Sequence, residues 1–188
     1  RTYYSINNQS PILDEEIECI VNTAVRNVPS AFNSQTTRIV LLLGESHKKL
    51  WQIVKDTLKK IVSEEAFVKT EEKIDHSFAC GYGTVLFFED QLILKELQKA
   101  FPAYQDKFPE WSLQTSGMHQ FVIWTMLEDA GLGASLQHYN PLIDDEVRRT
   151  WHLPEHWHLI AEMPFGTPVQ GPGKKEYLPL EDRVKIFR

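Results

Sequence analysis

Positive charge is in short supply in this chain. Twenty Lys and Arg face 26 Asp and Glu, for a net charge of −6 over 188 residues. Nucleic-acid binding needs clustered cations, so that class is set aside. The short Lys runs at 48–49, 59–60 and 174–175 read as solvated helix faces or tail. Cysteine is nearly missing. Cys19 and Cys80 are 61 positions apart, match no metal-ligand spacing, and read as reduced thiols. No apolar run approaches the roughly 18 residues that a membrane span requires. No signal-peptide pattern is visible, and a cytoplasmic setting is expected. A Gly-x-Ser-x-Gly elbow is lacking, which removes one hydrolase class. No internal repeat or low-complexity block occurs.

What is present supports a core: 42% apolar and 11% aromatic residues, in a length suited to one domain, 1–188. Ser10-Pro11 reads as a helix start, with Ser as cap and Pro at the first helical position. Ile17, Ile20, Val21 and Ala24 then recur at helical spacing until Pro29. Residues 39–43 form a continuously apolar strand. Ser46 is placed to cap a second helix with Leu50, Ile53, Val54, Leu58 and Ile61 as its stripe. Residues 64–74 are charged and helix-favouring. Gly81-Tyr82-Gly83 introduces a strand at 84–88, and a helix over 90–101 stops at Pro102.

Residues 103–116 look irregular and aromatic. A helix over about 116–130 follows, apolar around nearly its whole circumference, and Gly131 terminates it. Such a helix must be buried on every side, and a subunit interface is a natural way to do so. A short strand at 134–137, a helix at 142–152 and a strand at 157–163 precede a Pro/Gly-rich tail. The tail ends in a strand candidate, Val184 to Phe187. Helices and strands alternate without a strict βαβ repeat, so the fold class is α+β, a mixed sheet flanked by helices.

The chemistry concentrates in Val28-Pro29-Ser30-Ala31-Phe32-Asn33-Ser34-Gln35, between a helix and a strand, where loops commonly carry function. Asn33 and Gln35 each offer a donor and an acceptor, which suits the polar edge of a flat heterocycle. Gly131-Leu132-Gly133 follows a helix rather than a strand and lacks a third glycine, so it is no dinucleotide fingerprint. Gly171-Pro-Gly-Lys-Lys175 lacks the spacing and context of a P-loop. His152, His156 and His158 lie close together without a further ligand, so no metal site is assigned. Asp144, Asp145 and Glu146 open a helix, where their charge suits the macrodipole.

The order Pro-Ser-Ala-Phe-Asn-Ser-Gln closely resembles the flavin-contacting loop of the FMN-dependent nitroreductase family. That family often continues with Pro and Trp; here Thr36 and Thr37 follow, a departure that resembles the fatty-acid-repression-mutant branch. The N-terminal Arg, the Gly-Leu-Gly turn, Phe165-Gly166 and Pro179-Leu180 fall in matching order. The resemblance implies a nitroreductase-like fold and an interlocked homodimer with a swapped C-terminal strand. It implies FMN held by Arg1 and Thr2, by Pro29, Ser30, Ala31, Asn33 and Gln35, by Leu136, Gln137, His138 and Tyr139, and by Lys174 and Lys175. Where many relatives carry Glu-Gly, this chain has His138-Tyr139, so no carboxylate role carries over and no catalytic side chain is assigned. The implied activity passes hydride from NAD(P)H to a small oxidised aromatic, such as a nitroaromatic or quinone. The rival readings are a flavin-binding regulatory or sensor protein and a cofactor-free interaction module.

Overall fold

The apolar runs at 39–43 and 84–88 become adjacent antiparallel strands, β2 (Thr37–Leu43) and β3 (Gly83–Asp90). In this computed structural model, which describes residues 1–188, every residue of β3 is buried. The strand therefore needs no polar alternation, as its composition shows. On its other side β3 pairs with β5 (Trp157–Pro168), with a bulge at Phe87/Phe88. β5 in turn pairs with β1 (Ile6–Asn7) and β4 (Gly133–Ala134), for an order of β1-β5-β3-β2 with β4 off the path. All these pairs are antiparallel; a parallel direction enters through the isolated Thr2–Ala134 bridge.

Side chains of β3 alternate between two cores, as successive strand residues must. Leu86 and Phe88 join Leu50, Trp51 and Val54 of α2 (Gly44–Leu58), Phe67 and Ile74 of α3 (Glu64–Ile74), and Val147 of α6 (Asp144–Trp151). Val85 and Phe87 join Ile17, Val21 and Ala24 of α1 (Asp14–Asn27) and Ile123 and Leu127 of α5 (Phe108–Asp129). α4 (Gln91–Ala100) is capped by Asp90, whose carboxylate accepts from the Leu92 and Ile93 amides.

Several local expectations shift. Ser10 does not cap α1: its hydroxyl is taken up by the Ile12 peptide, and Leu13 is the capping position, its amide donating to Glu16 at 2.9 Å. Ser46 does not cap α2, because Gly44 at φ +53° turns β2 directly into the helix. Residues 103–116 are not irregular. After a 3₁₀ turn at Pro102–Tyr104, Pro109 pre-sets the first turn of α5, which starts at Phe108. β4 is shorter than expected, and β5 runs on to Pro168. Val184 to Phe187 is not a strand within this chain: it follows the short helix α7 (Leu180–Arg183), and Phe187 is 92% exposed. No helix is long and apolar enough to cross a membrane.

The middle of α5 buries several polar residues and exposes apolar ones, while Phe108, Ile123 and Leu127 face the core. Ser112, Thr115, Ser116 and His119 are buried, whereas Leu113, Met118 and Phe121 are exposed. The helix is thus not buried all round within one chain, as its composition alone requires.

Candidate functional site

The two ends of the chain meet over the last turns of α5. Thr2 bridges to Ala134, and the Tyr3 amide donates to the Ala134 carbonyl at 2.9 Å. The Trp124 indole donates to the Arg1 carbonyl at 3.0 Å. The Arg1 guanidinium donates to the Gly173 carbonyl at 2.6 Å, which ties the tail to the first residue. A cavity of about 490 Å³ lies between them, lined by Arg1, Thr2, Tyr4, Trp124, Lys174 and Lys175, among others. That volume falls within the range of small-ligand sites.

Its electrostatics are one-sided. Arg1, Lys174 and Lys175 contribute cations, and Glu128 is the one carboxylate in the lining. Glu128 is already engaged: Oε2 lies 2.7 Å from the Arg1 backbone nitrogen, and Oε1 accepts from the Tyr3 hydroxyl at 3.0 Å. The lysines are left without a carboxylate partner, and a planar guanidinium beside them suits an anion with several oxygens.

The 29–35 loop sits at the other end of α5. Ser30 accepts from the Gln35 amide at 3.0 Å and closes the loop. Phe32, Asn33 and Gln35 all have φ near +50°, a region that side-chain-bearing residues avoid. The strain is held by packing. Phe32 lies among Phe101, Tyr104, Phe108 and Trp111, with ring centroids 4.8–6.0 Å away. Beneath it, the buried Glu89 accepts from Thr37 at 2.6 Å and Ser112 at 2.5 Å, fixing the loop's exit strand to α5. Backbone strain of this kind collects at functional sites. Asn33 is exposed, and its amide bonds to nothing in the chain, so it is free for a ligand. Replacing Asn33 with Leu is expected to weaken binding of a polar heterocycle roughly tenfold, at ~1–3 kcal/mol per unpaired group. Ligand titration of variant and parent checks this; equal affinities would remove the loop from the site.

Residues 136–139 form a third group. The Gln137 amide donates to the Glu162 carbonyl at 2.7 Å, and the Glu162 amide returns a bond at 3.0 Å. Leu136 packs on the α1/α5 core. Tyr139 packs against Trp51 and Phe78, and burial together with the Glu162 charge pushes its hydroxyl up to about 12. His138 is exposed.

The sites expected from the sequence thus fall into two places. Arg1, Thr2, Lys174 and Lys175 converge, and the Thr2–Ala134 bridge brings the 136–139 strip alongside. Pro29, Ser30, Ala31, Asn33 and Gln35 do not join them in the same chain. From Trp111 beside the loop to Trp124 beside the cavity, α5 rises roughly 20 Å. Tyr4, Phe121, Trp124 and Glu128 escaped the sequence reading, because nothing in a helical pattern says which turn the N-terminus will cross. No group of three His, Cys, Asp or Glu is placed to hold a metal.

The chain matches the nitroreductase family over residues 1–167. It is 35% identical over 189 residues to the putative nitroreductase HBN1 of Saccharomyces cerevisiae, covering 100% of this chain and 92% of that one. It is 33% identical to nitroreductase FRM2 of the same yeast, covering 95% and 89%. Among solved structures, nitroreductase CinD of Lactococcus lactis, in complex with 4-nitrophenol, superposes with a TM-score of 0.88. That match has 42% identity and covers 100% of this chain and 95% of CinD. With a full-length structural match and two relatives above 30% identity, the chain belongs to the nitroreductase family.

Proposed function

We propose that this oxidoreductase is FMN-dependent and passes hydride from NAD(P)H to nitroaromatic or quinone-like acceptors. The observation that carries the reading is the convergence of Arg1, Lys174 and Lys175 on one cavity from opposite ends of the chain. Such a cluster fits a dianionic phosphate, and the tie between Arg1 and Gly173 already holds it together. Thr2 supplies a hydroxyl beside the cations. The adjoining strip at 136–139 offers the backbone that would flank a flat ring. Bound there, FMN would supply two-electron chemistry that no side chain of this protein offers. The chain's own task is to hold the phosphate, orient the ring and keep one face open.

CinD, in complexes with 4-nitrophenol and with nicotinic acid, supports a flat aromatic acceptor and a nicotinamide-type donor for this chain also. The separation of the 29–35 loop from the cavity supports a homodimer in which one chain's loop completes the other's site. The outward apolar row Leu113, Met118 and Phe121 supports the same assembly. The exposed Val184–Phe187 segment is suited to add to the partner's sheet, as an edge-covering strand would.

Steady-state NAD(P)H consumption with a nitroaromatic tests the reading. A rate that rises with acceptor and saturates is expected. A yellow protein with no acceptor-dependent rate would instead be a flavin-holding regulatory protein, and a colourless one would overturn the cofactor. Changing Lys174 and Lys175 together to Ala is expected to raise the FMN dissociation constant roughly tenfold or more. The loss should grow with salt, because exposed charge contacts are screened. Flavin content after gel filtration at high salt measures it; unchanged content would clear the lysines of the role.

A further inference from the structure

Glu162 is the one charged residue in the apolar run Leu159–Phe165, and it is completely buried. Its Oε2 accepts from the Tyr139 amide at 3.0 Å. Its Oε1 has no partner, and neither do the buried Asn140 Oδ1 and Asp144 Oδ1 of the turn that follows. All three are acceptors. With both carboxyls ionised none of the three oxygens carries a proton, and Glu162 forms no ion pair; the peptide N–H groups of Asn140 and of Glu162 itself favour the charged form, but burial outweighs them. The surroundings offer no remedy. Across the sheet Glu162 is in register with Leu86 of β3. From α2, His47 is bonded to Thr84 and the Ala79 carbonyl, and burial lowers its pKa to about 4, so it is neutral. Arg148 and His158 act on Asp144, where their charges oppose the effect of burial. The Tyr139 hydroxyl holds its own proton. An unpaired carboxylate in such a place is costly, and a proton both removes the charge and creates the missing donor.

We propose that Glu162 is the positioning residue of the 137–140 strip and is held there as the neutral acid at neutral pH. Three bonds then clamp the strip: the two backbone bonds of the Gln137–Glu162 bridge and the bond from the Tyr139 amide to Oε2. Burial, joined by the Asp144 charge, pushes the Glu162 carboxyl up to about 8. Burial also raises Asp144. The positioning role rests on the FMN reading, since this strip would border the flavin; the retained proton does not.

The sign follows from linkage. Glu162 binds its proton more tightly folded than unfolded, where its ordinary value is 4.5. The stability it confers is complete below that value and is lost as pH rises toward 8. The test uses the full chain with bound flavin and after flavin removal, as the parent, Glu162→Gln, Asp144→Asn and Glu162→Ala. Denaturant unfolding from pH 5 to 9 should show the parent's unfolding constant rising by up to tenfold per pH unit. Glu162→Gln, which mimics the neutral acid, should remove most of that slope. Infrared spectra should show a protonated-carboxyl band in the parent at pH 7 that Glu162→Gln deletes. Flavin affinity should fall tenfold or more in Glu162→Ala and be restored in Glu162→Gln. An unchanged slope in Glu162→Gln, or no carboxyl band, would overturn the retained proton. Failure of Glu162→Gln to restore affinity would overturn the positioning role. Should Glu162→Ala not fold, parental affinity in Glu162→Gln at pH 7, unchanged to pH 9, supports the role and a weaker affinity overturns it. If no form binds FMN, the cofactor reading fails while slope and band still decide the retained proton.

Discussion

Changing Gly166 to Ala is expected to lower the thermal midpoint by about 6–12 °C, corresponding to ~3 kcal/mol in a chain of this size. The reason is backbone against backbone. A Cβ at Gly166 would collide with the Asn7 carbonyl oxygen and come within 3.1 Å of the Tyr82 amide nitrogen. Neither atom belongs to a side chain that could swing aside. Asn7 lies in β1, so relief requires β1 to move off β5. β1 also leads back to Tyr3, Thr2 and Arg1, so the displacement would reach the cation-lined cavity. Flavin retention should therefore fall with the melting temperature. Gly171→Ala is the control, since nothing lies within 4 Å of a Cβ there, and it should behave as the parent. Calorimetry of both variants decides the matter; a parental midpoint for Gly166→Ala would refute the close approach.

The second large effect is expected from Phe121→Asp, with dimer and flavin lost together. Phe121 is 67% exposed in the single chain, so a carboxylate there should leave the fold of the protomer nearly untouched. In an interface the same carboxylate is desolvated without a partner, which costs several kcal/mol. Phe121 also lines the cavity, so a local effect needs separating. Leu113→Asp does so. It lies on the outward side of α5, outside that lining, roughly 12 Å along the helix. A composite site predicts loss of flavin in both variants. Sedimentation and flavin absorbance on one sample measure the two properties. A folded monomer of Leu113→Asp that keeps stoichiometric FMN would sink the shared site.

Regular periodicity made part of this fold legible. The 3.6-residue spacing of Ile17, Ile20, Val21 and Ala24 answers to a single core, the unbroken apolar runs of β2 and β3 answer to a core on each face, and Gly131 does terminate α5 at φ +86°. Where polar side chains take the inner positions, the pattern fails. The start of α5 reads as irregular because Ser112, Thr115 and Ser116 are buried on its inner side beside Phe108, while Leu113 and Met118 point outward. Capping failed where a hydroxyl had a nearer partner, as Ser10 has in the Ile12 peptide. The 29–35 loop stood out by the order of its residues, which resembles the family's flavin loop, and no sequence signal told that it would sit away from the cavity. The pairing of Arg1 with Lys174 and Lys175 came from family resemblance, since no local signal joins residues so far apart. Glu162 did leave a mark, a lone charge in an apolar strand, but its unpaired oxygen appears only once the 139–144 turn is laid over it.

The clasp between the two chain ends also sets an order of events during synthesis. The cavity is lined by Arg1 and Thr2 and by Lys174 and Lys175, which the ribosome adds about 170 residues later. At ordinary elongation rates roughly ten to thirty-five seconds separate them on the ribosome. Through that interval the sheet and both cores can assemble, yet the cation cluster does not exist. Loading with a phosphate-bearing ligand must then wait for the tail. A chain that lacks the tail from residue 173 on should still build both cores but hold such a ligand at least roughly tenfold more weakly.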